Sequence, residues 1–457
     1  MPHHLQGDSR AVVIGAGISG LLTAHVLAGY YNRVTVIERD DLPLTPHQRK
    51  GVPQGTHVHA LFARGLEALE DLLPGFQAAL ADSGAHRIDM GRDLALATPY
   101  GWGSRRFANL PAVGASRPLI EHVIRQHVMT SPHITLLTGH RATSLCGGPN
   151  HLDAVEVSTS STEGSRQLPS DLVADAAGRT SQVGKWLTEL GCPVPKTVTV
   201  DAHVGYATRI FRSARPPTHW RACYSLPLGP HTPRGGVLAP IEDDRWIVTL
   251  TGPGENRPTT ATDDFLPFAR TLSTPLIADF IADAEPLTPV RGSHATANHR
   301  RVGHPAARPD NLLITGDSAC ALNPVYAQGM TVAALSSLAL RACLTRSDGR
   351  PGTLARHFHQ AQRSIQRRPW LLATAADNRH PTTTGARPTP LHAVAGHGLD
   401  RLLLAGTHSP EAQHRFLAVM AMTASPATII RPRTLRFLMA RTRPTALHGT
   451  LPPLPAE

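Results

Sequence analysis

The sequence predicts an α/β fold, and three features carry that expectation. A short β-branched run, Ala11-Val-Val-Ile14, leads directly into Gly15-Ala-Gly17-Ile-Ser-Gly20 and a helix-forming stretch. A second buried run, Asn311-Leu-Leu-Ile-Thr, ends at Gly316-Asp317. Between them, residues 191–284 alternate strand-like runs with turns rich in Gly and Pro.

The first feature reads as a buried parallel strand followed by Gly-x-Gly-x-x-Gly. Gly15 permits a tight turn, Gly17 lets backbone approach a pyrophosphate, and Gly20 lets the next helix pack on its strand. That helix carries Leu21, Leu22, Ala24, Val26 and Leu27, and its N-terminal amides face the phosphates. A second strand, Arg33-Val-Thr-Val-Ile37, ends at Glu38, a carboxylate placed to bind an adenosine ribose. Strand, glycines, helix, strand and acid in that order predict a bound dinucleotide.

The motif does not separate FAD from NAD, so the second feature must decide. A strand-end Asp317 can hydrogen-bond a polyol such as a ribityl chain. A helix starting near Gly329, with Met330, Val332, Ala333 and Leu335 as its buried side, can stabilise the negative charge of a reduced flavin. Alone, the same segment reads as an Asp cap in an ordinary strand-to-helix turn.

Composition excludes several classes. The chain has 457 residues, 41% hydrophobic and 17% charged, so wholesale disorder is excluded. No apolar run approaches a bilayer span, and the opening residues lack the hydrophobic stretch of a signal peptide, so a cytoplasmic protein without a stable membrane anchor is expected. Five scattered cysteines without Cys-x-x-Cys fit a reducing compartment better than a disulfide framework or a zinc site. The net charge is +11, but its basic residues are dispersed and aromatic residues are 5% of the chain, which argues against a nucleic-acid partner. The densest basic stretch is Arg431, Arg433, Arg436, Arg441 and Arg443, interleaved with apolar residues and interrupted by Pro432. It reads as a packed helix with solvated arginines rather than a membrane-surface helix.

The Gly15–Gly20 turn, Glu38 and the Gly316-Asp317…Pro324…Gly329 segment together resemble the group A FAD-dependent monooxygenases of the para-hydroxybenzoate hydroxylase fold. Four further stretches narrow the resemblance: Arg49-Lys-Gly-Val-Pro-Gln-Gly-Thr-His57-Val-His59, Ser116-Arg117-Pro-Leu, Asp171-Leu-Val-Ala-Asp175-Ala-Ala-Gly178, and Tyr206-Ala-Thr-Arg209. These are similar to the bacterial alkene epoxidases of polyether antibiotic pathways, the lasalocid and monensin type. The resemblance spans about residues 10–440. It implies a Rossmann-type FAD-binding domain, an antiparallel-sheet substrate domain and a helical C-terminal cap. It implies that Gly15, Gly17 and Gly20 hold the pyrophosphate and Glu38 the ribose, with Arg39 and Lys50 beside them. Arg117 would reach the FAD, Ala142 would contact the adenine, and Asp317 would bind the ribityl chain. Pro324, Gly329 and Met330 would border the isoalloxazine ring. Arg117 also reads as a helix-start arginine paired with a nearby carboxylate.

Two departures stand out. The family's Asp-Gly pair falls on Ala177-Gly178, with Asp175 two residues earlier, which puts the usual nicotinamide handling in doubt. Electrons are therefore expected from NAD(P)H either directly or through a separate flavin reductase. The family's Gly-x-Gly before the last helix appears as Ala327-Gln-Gly329, adding a methyl group where backbone lies close to the flavin.

The FAD domain is expected to be discontinuous, at 8–75, 105–190 and 285–345. The substrate domain takes 76–104 and 191–284, and a helical region takes 346–457. Along the strand at 204–211, Tyr206, Thr208 and Ile210 face one way and Ala207, Arg209 and Phe211 the other; either set can line a substrate cavity, and each residue also reads as core packing. His57 and His59 alternate as on one strand face. No third ligand accompanies them, so they read as flavin- or substrate-side residues, with Tyr206, Thr208 and Tyr326, or as plain structural histidines, and no metal is expected. Asp243-Asp244 and Asp263-Asp264 read as turn and cap residues rather than acid–base pairs.

No nucleophile–base triad is evident. The resemblance implies that a flavin C4a-hydroperoxide, formed with O2, carries the oxygen atom, so the protein needs no nucleophile. The expected activity is monooxygenation of an apolar polyketide or terpenoid substrate, foremost alkene epoxidation in natural-product biosynthesis. Alternatives are aromatic hydroxylation, which benefits from a base that the sequence does not identify, and a flavin oxidase or reductase that inserts no oxygen. The tryptophan-rich motif of flavin halogenases is absent, Trp102 standing alone between glycines.

Overall fold

The computed structural model describes residues 8–107, 109–159, 164–303, 308–347, 351–425, 443–444, 447 and 451. Its centre is a five-stranded, wholly parallel sheet in the order Leu312–Ile314, Leu172–Asp175, Arg10–Ile14, Arg33–Ile37, Ile134–Leu137. Parallel strands covered on both faces need apolar side chains throughout, and Val12, Val13, Val34, Val36, Leu172 and Val173 are all 2% exposed or less. The helix Ile18–Leu27 is buried around most of its circumference. It packs against Gly329–Ser347 on one side and Arg117–Val128 on another. An antiparallel meander (His140–Gly147, Leu152–Thr159, Ser165–Pro169) lies at the other face.

An eight-stranded sheet forms the second layer, led by Val204–Arg212, Arg245–Pro253, Gly235–Ile241 and Ala222–Ser225. Ile241 pairs with Arg245, so the strands are joined by the three residues 242–244, with Asp243 and Asp244 at positive φ of 62° and 54°. Ala207 and Phe211 point into a core with Phe265 and Ile277 of two covering helices, while Tyr206 and Thr208 face the other way, toward His57. The expected alternation along this strand is therefore observed. Asp263 and Asp264 lie in the first turn of the helix Thr262–Ala269, where carboxylates complement the helix dipole.

The strand expected at 198–200 does not join that sheet. Lys196–Asp201 pairs instead with Asn298–Val302 and with Thr384–Gly385, in a separate four-stranded sheet beneath the C-terminal helices. Likewise, His86–Asp89 leaves the expected substrate segment to pair with Pro111–Gly114. These long-range pairings depend on which strand edges face one another, which local residue pattern does not encode.

After Gly329–Ser347 come helices Pro351–Asp377, Pro390–Gly406 and Pro410–Met420, which cap the eight-stranded sheet. The arginine-rich stretch, Arg443 apart, lies outside the described residues. Among the described residues, no helix is long and apolar enough to cross a membrane, and no cluster of three potential metal ligands occurs.

Candidate functional site

The glycine turn is built as its spacing requires. Gly15 has φ +101°, and a Cβ on it would stand 2.6 Å from the Ala176 carbonyl oxygen. A Cβ on Gly20 would fall 1.8 Å from the Gly15 oxygen, so helix and turn touch through bare backbone. Gly17 is different: nothing lies within 4 Å of its Cβ position, leaving backbone open at the start of the helix.

Glu38 ends its strand only 5% exposed. Its Oε2 accepts from the Ala16 N–H at 2.9 Å and its Oε1 from the Asp40 N–H at 3.1 Å. Arg49 enters the same space, 3.2 Å from Glu38, 3.0 Å from Asp40 and 2.7 Å from Glu121. Arg117 adds a contact to Glu121 at 3.2 Å, as the alternative reading of that arginine anticipated, yet its buried Nε has no partner. Three carboxylates and two arginines thus meet beside the glycine turn. Lys50, expected here, is exposed, and Arg39 is exposed beyond Glu38. Arg49 takes the inward place because Asp40 also holds the Gly51 N–H at 2.6 Å, fixing the loop with Arg49 turned in.

The second half of the site reaches the first directly. Gly316 has φ +60°, and a Cβ there would stand 2.7 Å from the Ser19 Cβ. Ser19 and Thr315 hydroxyls lie 3.3 Å apart. Asp317, the next residue, is 37% exposed at its side chain, with the Arg179 Nε 3.7 Å away. Arg179 donates through Nη1 to the Ala297 carbonyl and through Nη2 to the Leu322 carbonyl, both at 2.6 Å, which holds the Asp317–Asn323 loop. Asp175 is wholly buried and accepts from the Ala177 N–H at 3.1 Å and the Ser181 hydroxyl at 2.5 Å. It organises its own turn and does not replace the missing acid at Ala177. Ala327 stands at φ +52°, the left-handed region, where the family pattern has glycine. Pro324 is half-buried, and Gly329 is exposed with nothing within 4 Å of its Cβ position.

Between the sheets runs a chain of polar side chains in otherwise apolar surroundings. The Val58 N–H donates to Thr249 Oγ1 at 3.0 Å, the Thr249 and Thr208 hydroxyls lie 2.7 Å apart, and Thr208 lies 2.7 Å from His57 Nδ1. Passing each hydroxyl proton toward His57 leaves no hydroxyl without an acceptor and puts the imidazole proton on Nε2, which is buried and unpartnered. Burial pushes the His57 pKa down to about 4, so the ring is neutral. His59 is half-buried, its Nδ1 2.9 Å from the His57 carbonyl, and its pKa is lowered by burial and by Arg117. The two histidines do not share a strand face. Pro53 opens a 3-10 turn at Pro53–Thr56, and the chain leaves it in an irregular course.

Tyr206, its ring 5.5 Å from that of His57, donates to Asn323 Oδ1 at 3.0 Å. Asn323 and Asn298 donate to Asp377, and the Tyr326 hydroxyl donates to Asp377 Oδ1 at 2.7 Å. Burial pushes the Asp377 pKa up to about 6, against the lowering effect of these donors.

Tyr326 borders a cavity of about 930 Å³ including its open mouth. The sheet contributes Tyr224, Leu226 and Thr251, the 324–329 loop contributes Val325 and Gln328, and the C-terminal helices contribute Leu372, Leu399, Leu403 and Phe416. Of the five expected substrate residues, only Tyr326 lines it. His57, Tyr206 and Thr208 form a buried frame instead, and His59 lies nearer Arg117. Met330 and Ala142 turn their side chains into apolar cores, so only their backbone is available to a cofactor. Arg49, Arg179, Asn323, Gln328 and Asp377 were not singled out by sequence reasoning. Arg49 adjoins Lys50 in the loop at 49–59, and that adjacency is its only sequence signal; Asp377 carries no local signal.

Open backbone at Gly17 and Gly329, the orphaned Arg117 Nε, and a carboxylate at each end of the glycine–Ser19–Gly316 contact fit FAD. The FAD binding domain family matches residues 8–347. Protein Rv3254 of Mycobacterium tuberculosis is 29% identical over 427 residues, covering 89% of this chain and 88% of that protein. Kynurenine 3-monooxygenase of Salinispora tropica is 26% identical over 365 residues, covering 76% of this chain and 75% of that enzyme. Among solved structures, the flavin-dependent brominase Bmp2 has a similar fold at TM-score 0.64 and 13% identity, covering 92% of this chain and 97% of that one. The oxygenase of 2-methyl-3-hydroxypyridine-5-carboxylic acid is similar at TM-score 0.59 and 15% identity, covering 81% and 90%.

Proposed function

The chain belongs to the FAD binding domain family and is an FAD-dependent monooxygenase, and on that premise we propose that it epoxidises an apolar polyketide or terpenoid alkene. Bound FAD, once reduced, supplies the activation of O2: one oxygen atom goes to the alkene and the other leaves as water, with two electrons and two protons consumed. The glycine turn with Glu38 and Arg117 would hold the adenosine and phosphate half; Asp317, Pro324 and the backbone at Gly329 would hold the flavin half. Reduction through a separate flavin reductase is the reading that Ala177 favours.

The single observation that carries the proposal is the cavity. It joins the 324–329 loop to a largely apolar wall, as needed to hold an alkene beside the flavin and keep water away. Aromatic hydroxylation is the second reading, favoured by one contact: Asp377 accepts from Tyr326 at the cavity wall and could draw a phenol proton through that hydroxyl.

Turnover of matched polyenes and phenols under 18O2, with a supplied flavin reductase, tests both. A product that gains one labelled oxygen and loses a double bond supports epoxidation. Ring hydroxylation promotes the second reading, and oxidation without label leaves neither.

A further inference from the structure

Arg379 is the one arginine or lysine among the described residues lining the cavity, and each of its three nitrogens already donates a hydrogen bond. Its Nη1 and Nη2 meet Asp400 Oδ1 and Oδ2 at 2.6 and 2.8 Å, a bidentate pair, and its Nε donates to the Gly229 carbonyl at 3.1 Å. Both side chains are about a quarter exposed, so the pair is partly shielded from water. Arg379 lies just beyond the end of one cap helix and Asp400 within the next, Pro390–Gly406. His380 beside them is kept neutral by burial and by the Arg379 charge. The remaining ionisable wall groups are Asp377, Tyr224 and Tyr326, none of which adds positive charge.

Also lining the cavity, the Gln328 amide and the Thr251 hydroxyl are buried at 2% and 3% exposure with no hydrogen-bond partner. An amide offers both donors and an acceptor, and a hydroxyl offers one donor with acceptor capacity. These are groups for an uncharged polar function. A carboxylate entering the same space would be desolvated with no free cation to meet it, and an unpaired buried charge is a strong basis for rejection.

We infer that the Arg379–Asp400 pair sets the charge specificity of this cavity: it takes an uncharged, lipid-like alkene whose polar end is a hydroxyl or carbonyl, and it refuses carboxylates. This inference rests on the cavity being the substrate site of the proposed monooxygenase. Specificity arises from how the cation is used rather than from its absence, because Asp400 occupies the fork that a substrate carboxylate would need.

The test is calorimetric binding of farnesol and of farnesoate to the full-length, FAD-loaded protein at pH 8. The two share one carbon skeleton and differ in a hydroxymethyl against a carboxylate. Wild-type protein is expected to bind farnesol at least tenfold more tightly. Asp400→Asn, which frees one cation, is expected to shift the farnesol-to-farnesoate ratio at least tenfold toward the acid. The double variant Arg379→Gln with Asp400→Asn is expected to return the ratio toward wild type. Equal or tighter binding of farnesoate by the wild type overturns the inference, as does absence of binding by both ligands or an unchanged ratio in Asp400→Asn. If Asp400→Asn fails to fold, the wild-type ratio alone decides. Mass spectrometry of the same mixtures, after addition of NADH, a flavin reductase and O2, separates the two claims: a preserved preference without oxygen transfer sinks the proposed reaction and leaves the charge rule standing.

Discussion

Gly316 rests on Ser19, so closely that a methyl group on the glycine would stand 2.7 Å from the serine Cβ. Chain positions almost 300 residues apart are thereby locked together, the first turn of the dinucleotide helix against the strand end that presents Asp317. The contact fixes the separation of the two groups expected to grip opposite ends of one FAD. It also requires glycine twice over, because φ at Gly316 is +60°.

The glycines of the first turn should separate folding from cofactor retention. Gly17 has φ −72° and open space at its Cβ position, so Gly17→Ala is expected to change stability by about 0.5 kcal/mol or less while weakening FAD binding at least tenfold. Gly20→Ala would drive a methyl group into the Gly15 carbonyl and is expected to cost several times more, roughly 2–4 kcal/mol. Denaturant melts and flavin content of the two purified variants check this. Comparable losses of stability in both would show that Gly17 is structural.

Ala327 carries strain that glycine would relieve. A left-handed alanine costs roughly 1–2 kcal/mol, and the greater freedom of unfolded glycine returns part of that. Ala327→Gly is therefore expected to stabilise the protein by roughly 0.5–1 kcal/mol, read as a higher denaturation midpoint. A lower midpoint would mean that the methyl group supplies packing that outweighs the strain.

His57 and Asp377 should push stability in opposite directions with pH. The His57 pKa is lowered to about 4, so the unfolded chain binds its proton more readily and stability falls as pH drops from 6.5 toward 4. The Asp377 pKa is raised to about 6, so the native chain holds its proton longer and stability falls as pH rises from about 4 to 6. Each effect is worth about 3 kcal/mol over its range, and the two largely cancel. Relative to wild type, Asp377→Asn should make stability climb more steeply with pH, and His57→Gln should reverse that slope. Parallel pH profiles of unfolding free energy in all three proteins would refute the assignment.

Removing Arg49 should leave Glu38, Asp40 and Glu121 crowded in a nearly dry space. Breaking a buried ion cluster from one side costs about 3–5 kcal/mol. Arg49→Met is expected to lose that much stability and most bound flavin; a loss under about 0.5 kcal/mol, the level expected of an exposed residue, would show that the cluster adds nothing to stability. Lys50→Ala is the matched control and should change stability by less than about 0.5 kcal/mol, since its side chain is exposed.

The sequence by itself determined the parallel sheet, the glycine turn, Glu38 and the Asp317 strand end. These are local signals: β-branched runs, glycines at fixed offsets and acids at strand tips follow from backbone geometry over a few residues. The same local logic grouped Tyr206 and Thr208 on one face of Val204–Arg212 and left open what that face meets. Tertiary structure alone decided that Arg49 rather than Lys50 turns inward, because Asp40 and Glu121 arrive from separate elements. It also decided that the cavity borders the cap helices rather than lying wholly within the sheet, and that Asp377 joins Asn298, Asn323 and Tyr326. Such groupings depend on long-range packing and on the desolvation it creates, which no spacing of residues along the chain records.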